Sequence, residues 1–317
     1  MDIGNTAIVI NRQAGTVRSM GADTVRKLVI DAFGPDAALY LLDAADVADK
    51  IGALLREGAV SRLIVGGGDG TLASAACLAA GTGVAVGILP LGTMNLVAKT
   101  IGMEADLPAA LQQLRSAEVK TVDAGRANGR LFLHHVSIGL QPRMVRIRER
   151  LGYSSRFTKI FSALRASLAV LLKPRTRRLG LEVDGRHMDV RTPALIISNN
   201  VYENSMMLRQ ARLDEGILGI YALNPMSLPA YLRLAIDLFR GRWRENLNVM
   251  ELRGCEVQVT RRRRFGRISR SIKATLDGEL VLFELPLTVA SDRAALRLLV
   301  PRANPATGDA CEGGSHV

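Results

Sequence analysis

Aromatic residues are scarce in this chain, 4% of 317 residues with a single Trp. Single-stranded nucleic acids are gripped by bases stacking on aromatic side chains set among basic ones, so this scarcity speaks against a specific nucleic-acid partner. The formal net charge of +12 still predicts attraction to polyanions, which leaves nucleotide phosphates and anionic lipid. Cysteine is rarer still. Cys77, Cys255 and Cys311 are odd in number, far apart and without a second Cys or a His at ligand spacing, so neither a disulfide framework nor a zinc site is suggested, which suits a reducing cytoplasm. The opening MDIGNTAIVIN has neither the basic segment nor the long apolar stretch of a signal peptide. Charge is absent from Gly70 to Ala98, a length that could cross a bilayer. Gly81-Thr82-Gly83, Gly87 and Pro90-Leu91-Gly92 break that run into a helix (72–80), a short strand (84–89) and a loop, the pattern of a buried α/β layer.

The first third alternates strand and helix. Strands are expected at Ala7–Asn11, Ala38–Leu42, Arg62–Val65 and Val84–Leu89, with helices at Val17–Phe33 and Ala45–Glu57; such alternation implies a parallel sheet with crossover connections. Beyond about Asp123 the texture changes to strand-like segments joined by turns, at 130–138, 179–183, 194–199, 217–222, 256–260 and 280–286, as in an antiparallel sandwich. Helical patterns interrupt it at Ser155–Leu172 and Leu228–Phe239. The expected organisation is a Rossmann-like α/β domain over 1–123, with 291–303 a candidate to rejoin it, and a mainly antiparallel β-sandwich over 124–290. A disordered Pro-, Gly- and Ala-rich tail over 304–317 completes it.

Residues 66–71 read GGGDGT at the end of the third strand. Glycines between a strand and a helix offer backbone N–H groups and the helix dipole to an anion, so the loop suits phosphate; a plain tight turn is the alternative. Neither the GKS/T of a Walker loop nor the GxGxxG spacing of a dinucleotide site is present. Asp69 would be repelled by bare phosphates, which implies a bridging Mg²⁺ or an active part beside the γ-phosphate.

GGGDGT followed by GILPLGTMN (Gly87 to Asn95) resembles the diacylglycerol kinase and sphingosine kinase family of lipid kinases in its soluble bacterial branch, which shares its phosphate loop in outline with NAD kinases. Further motifs extend the resemblance along most of the chain: INRQAG (10–15), VDAGRANGRLF (122–132), VSIGL (136–140), DEGILGI (214–220) and LDGE (276–279). The resemblance implies ATP and Mg²⁺ as cofactors. It implies that Gly66, Gly67, Gly68, Gly70 and Thr71 hold ATP phosphates, that Asp69 organises catalytic Mg²⁺, that Thr93 contacts nucleotide and that Asn95 lies near the transfer site. Asp277 would take the lipid hydroxyl proton, with Glu279 beside it. A structural Mg²⁺ would use Glu215 with backbone oxygens of Arg212 and Ile217. Read without the resemblance, Asp277-Gly278-Glu279 also suits an ordinary hairpin turn. Three departures stand out: Leu96 where the family has an acid, Arg12 where it has proline, and Glu215 where it has Asp.

The run RRRRFGRISRSIK (261–273) holds no acid. A solvated hairpin is the plain reading, and contact with an anionic membrane the functional one. Residues 231–244 and 156–175 set Leu, Ile, Phe and Trp against Arg, which suits either core packing or a membrane surface. His134 and His135 are assigned to structure. The chain is therefore expected to be an ATP- and Mg²⁺-dependent lipid kinase acting on diacylglycerol, ceramide or a sphingoid base. It is expected in the cytoplasm, peripheral to the inner face of the membrane, with its oligomeric state open and a dimer compatible. NAD kinase and a non-catalytic, nucleotide-dependent membrane-surface protein are the alternatives.

Overall fold

The computed structural model describes residues 5–92, 95–150, 175–205, 210, 212–261 and 269–302, with side chains at 146–150 excepted. The helical pattern at 155–172, Thr93, most of the basic run (262–268) and the tail at 304–317 lie outside the described residues. The chain divides into two units: one takes in the chain up to Gly68, Val84–Lys120 and the chain from Leu298, the other Asp69–Gly83 and Thr121–Arg297.

In the first unit, β1 (Thr6–Asn11), β2 (Ala38–Leu42), β3 (Arg62–Gly67) and β4 (Ala85–Pro90) pair in parallel in the order β2-β1-β3-β4. The central strands are buried on both faces, which is why they read as unbroken apolar runs. Helices α1 (Gly15–Met20), α2 (Ala22–Phe33), α3 (Ala44–Glu57), α5 (Leu96–Thr100) and α6 (Leu107–Ser116) belong to this unit. The single helix expected over 17–33 is two, because Gly21 takes φ +88 and ends the first before the second begins.

The second unit is an antiparallel sandwich. One sheet runs β12-β11-β10-β7-β14-β15: Val249–Gly254, Leu218–Leu223, Ala194–Asn199, His135–Gly139, Ser271–Leu276 and Glu279–Glu284. The other contains β16 (Leu287–Val300), β13 (Glu256–Arg261), β8 (Arg177–Val183) and β9 (Arg186–Thr192), with β5 (Glu118–Ala127) pairing β16 and β6 (Arg130–Phe132). Val136, Ile138, Leu195, Ile197 and Ile220 of the first sheet bury against Leu179, Leu181, Val257, Val259 and Val289 of the second, the interdigitated core of a two-sheet sandwich. The strand expected over 130–138 is two strands, interrupted at Leu133-His134 where the backbone is used for something else. Helix α4 (Asp69–Ala79) starts three residues before the expected Leu72. It packs against β6, and so 69–83 group with the sandwich and not with 1–123 as expected. Helix α7 spans Leu140–Arg150 and α8 spans Leu228–Phe239. Among the described residues no helix is long and apolar enough to cross a membrane.

Candidate active site

The glycines of GGGDGT are set by what covers them. In the first unit, a Cβ on Gly66 would lie 2.8 Å from a Leu91 methyl and 2.9 Å from Ile10, so a side chain there would force both neighbours to shift. Gly68 faces Gly92 across the ends of β3 and β4, where a Cβ on Gly92 would stand 2.5 Å from the Gly68 Cα. Asn95 fixes the second loop. It sits buried in the left-handed region with φ +49, its Oδ1 accepting from Gly92 N at 3.0 Å and its Nδ2 donating to the carbonyls of Pro90 and Gly92, both at 3.1 Å. Its amide is therefore turned into its own loop, holding the approach of Gly92 to Gly68. Because the obstacle to Gly92→Ala is backbone and not a movable side-chain end, the substitution is expected to destabilise by about 1–3 kcal/mol; urea denaturation measures this, and an unchanged midpoint would contradict the close approach.

The next residue begins the second unit, and here the acids gather. Asp69 is the first residue of α4. Glu279, from the start of β15, lays its carboxylate over Gly70: a Cβ there would meet Oε1 directly and stand 3.2 Å from the carboxyl carbon. A carboxylate at a helix N-terminus is favoured by the dipole, and only glycine leaves room for it. Asp277 and Gly278, with φ +47 and +92, form the two-residue turn joining β14 to β15, the geometry that Asp-Gly favours. Thus Asp277 belongs to a hairpin turn and to the candidate site at once.

Three backbone N–H groups point at the Asp277 carboxylate: Leu133 donates to Oδ2 at 2.8 Å, and His134 and His135 donate to Oδ1 at 2.9 Å each. Its own N–H donates to the His135 carbonyl at 3.0 Å. This nest is the reason the strand breaks between β6 and β7. Burial nonetheless pushes the carboxyl up to about 6, against the lowering pull of the three amides and with help from the negative charge of Asp69. A carboxylate offers about four lone-pair positions, so three amides leave Oδ2 one acceptor site free.

Beneath the nest lies a polar cluster built on His134 and His135. The Nδ1 atoms of His134 and His135 stand 2.6 Å apart, Tyr202 Oη lies 3.3 Å and 3.1 Å from them, and His135 Nε2 is 3.0 Å from Gln141 Oε1. Burial holds the rings neutral, with their pKa values pushed down to about 3 and about 4. With His135 Nε2–H donating to Gln141 Oε1, His135 Nδ1 is an acceptor whose single in-plane lone pair takes a hydrogen from one of its two neighbours, His134 Nδ1 or Tyr202 Oη. The histidines do serve structure, but their backbone amides serve Asp277.

Three residues with no assigned role complete the support. Asn199 donates from Nδ2 to the Asp123 carbonyl at 2.9 Å, and its N–H donates to the His134 carbonyl at 3.0 Å. Gln210 donates to the Asn199, Leu133 and His134 carbonyls. Asp123 accepts from Gly216 N at 2.5 Å and Ala294 N at 2.9 Å, tying down the 212–217 loop. The signal for Asn199 was present: the polar trio Ser198-Asn199-Asn200 closes an otherwise apolar strand.

In the 212–217 loop, Arg212 pairs with Asp214 at 3.0 Å and Glu215 N donates to Asn200 Oδ1 at 3.1 Å. Among the described residues, no set of three or more His, Cys, Asp or Glu able to hold a metal occurs, here or elsewhere. Mg²⁺ does not require one, since it is commonly held by one or two carboxylates and by substrate phosphates. The hard oxygen donors of Asp69 and Glu279 at the start of α4 fit that pattern, and the Asp69 charge felt by Asp277 marks an electronegative spot. Arg12, standing where the related motif has proline, pairs with Asp43 through its guanidinium.

Two family models match. The "Diacylglycerol kinase catalytic domain" covers residues 5–127 and the "YegS C-terminal NAD kinase beta sandwich-like domain" covers 135–300. A Staphylococcus haemolyticus protein named "Putative lipid kinase" is 26% identical over 244 residues, 74% of each chain. An uncharacterised Synechocystis protein is 24% identical over 256 residues, 77% of this chain and 56% of its own length, so the match spans little more than half of that relative. In fold, the chain is similar to a Bacillus anthracis crystal structure described as a "putative diacylglycerol kinase", with TM-score 0.72, 18% identity, and 96% and 98% of the two chains covered. The chain belongs to the family of lipid kinases that join a diacylglycerol kinase catalytic domain to a YegS-type, NAD-kinase-like β-sandwich.

Proposed function

We propose that the chain transfers the γ-phosphoryl group of ATP, with Mg²⁺, to the hydroxyl of a membrane lipid such as diacylglycerol, ceramide or a sphingoid base, acting from the cytoplasmic face. The observation that carries this reading is the meeting of Asp69, Glu279 and Asp277 at the N-terminus of α4. Phosphoryl transfer needs phosphates held by fixed donors, compensation of their charge, and a carboxylate to accept the hydroxyl proton. The backbone N–H groups at the start of α4 are such donors. Asp69 and Glu279 are the residues that would hold Mg²⁺, which when bound supplies positive charge against the phosphate oxygens. Asp277 accepts the lipid hydroxyl proton at Oδ2, the oxygen that takes one amide and not two. At neutral pH a carboxyl with a pKa about 6 is mostly ionised yet basic enough to take a proton. The family assignment and the relatives' names support a lipid as the acceptor.

The test is purified protein with labelled ATP and Mg²⁺, offered mixed micelles of diacylglycerol, of ceramide and of sphingosine, and NAD in a separate reaction. Label in one lipid names the acceptor. Label in NAD alone would move the chain to the other activity that shares this fold.

A further inference from the structure

Helix α8 is apolar on two faces. Tyr231, Leu234 and Leu238 turn inward, the two leucines packing on the cluster of Tyr202, Tyr221 and Trp243. Leu228, Leu232, Ile236 and Phe239 are exposed at 40%, 56%, 49% and 74%. At about 100° per residue these four fall within one arc on the outer side, at spacings of four, four and three residues. An exposed contiguous apolar stripe of this kind marks an interaction surface. Arg233 and Arg240 follow next around the helix, both exposed and without an ion pair or side-chain hydrogen bond among the described residues. Leu247, 95% exposed, stands in the turn after the short helical segment that follows α8.

We propose that α8 is the element by which this unit docks on an anionic lipid surface, with Leu228, Leu232, Ile236 and Phe239 entering the interface and Arg233 and Arg240 meeting the headgroups. The inference rests on the reading of the chain as a kinase for membrane lipids. Apolar residues on one arc beside cations are the composition of helices that lie in a bilayer interface, and a net charge of +12 favours an anionic surface over an acidic-poor protein partner. Position supports the same occupant. The inner face of α8 rests on Tyr202, whose hydroxyl contacts the two histidines whose amides hold Asp277. A bilayer on the outer face is thus separated from the proton acceptor by one helix and one aromatic layer.

The experiment measures sedimentation of the full chain with phosphatidylcholine vesicles containing a minority of phosphatidylglycerol. Leu232→Gln with Phe239→Gln is expected to weaken binding about tenfold or more, and Arg233→Gln with Arg240→Gln to weaken it less and flatten its salt dependence. Thermal melting and phosphorylation of a short-chain, water-soluble acceptor should stay at wild-type levels in both. Should the leucine and phenylalanine variant fold poorly, Phe239→Trp replaces it: the new indole should shift its emission to the blue when vesicles are added, and no shift would overturn docking. Unchanged vesicle binding in the folded double variant overturns it too. A change from dimer to monomer in that variant, with vesicle binding intact, would give the stripe to a second copy of the chain instead. Vesicle binding that depends on α8 in a protein that phosphorylates no lipid would keep the docking surface and remove the kinase reading.

Discussion

Asp277→Asn is expected to lower kcat by about 10²–10⁴-fold, the range for loss of a general base, while the KM for ATP changes little. The carboxylate is held by the backbone amides of Leu133, His134 and His135, and the phosphate donors proposed at the start of α4 are N–H groups that the substitution leaves in place, so its loss should fall on the acceptor side of the reaction. The substitution also turns an amide N–H₂ or a single carbonyl toward the three donors. One of them is left unsatisfied at a cost of about 1–3 kcal/mol. Denaturation of the variant measures that cost separately, and a folded population that accounts for the whole loss of rate would return Asp277 to structure alone. A collapse of ATP affinity with kcat preserved would make it a nucleotide ligand.

Asp69→Asn is expected to lower kcat by about 10²–10³-fold. Asp69 opens α4 and belongs to neither described hydrophobic cluster, so the fold should survive. The substitution has a second consequence independent of turnover. The negative charge of Asp69 is one of the causes that hold Asp277 up near 6, so neutralising it should move the titration of the Asp277 carboxyl to lower pH. Carboxyl carbon NMR of the free protein reads this directly. An unmoved Asp277 would separate the two acids and with them the site.

The same titration carries opposite signs for stability and for catalysis. The folded pKa of Asp277 is raised above the unfolded value of 3.8, so its contribution to stability increases as pH falls through about 6. His134 and His135 work the other way. Their folded pKa values are pushed below 6.5, to about 3 and about 4, so folding opposes their protonation and stability is lost as pH falls below 6.5. On the proposed role, Asp277 acts in its ionised form, so turnover is expected to fall on the acid side of about 6.

How much of this was legible depends on what each element uses. The parallel strands were legible because IVI, LIV and VGIL are buried on both faces and so leave unbroken apolar runs in the sequence. β5, EVKTVDAGRA, leaves no apolar run to read because its first four positions are exposed, with Val119 set between Glu118 and Lys120. The charged edge strand β9 hides for the same reason: its residues alternate exposed and half-buried and carry no run. Helix α4 could not be started correctly from Asp69-Gly70, because Gly70 is there for the Glu279 carboxylate and not for helix propensity. Asp277 was legible through its turn and its motif. Its partners were not, since Leu133, His134 and His135 contribute backbone N–H groups that any residues would carry. Asn95, expected near the transfer site, is seen to spend its side chain on its own loop, and that role follows from a left-handed backbone that the sequence only hints at.

The pH dependence of kcat for phosphorylation of the identified lipid, in the wild type and in Asp277→Asn, tests the central claim most directly. The account predicts an acid limb in the wild type with its inflection near the Asp277 value of about 6, and a residual rate in the variant from which that limb has vanished. A variant that keeps both the wild-type rate and the same limb would contradict it.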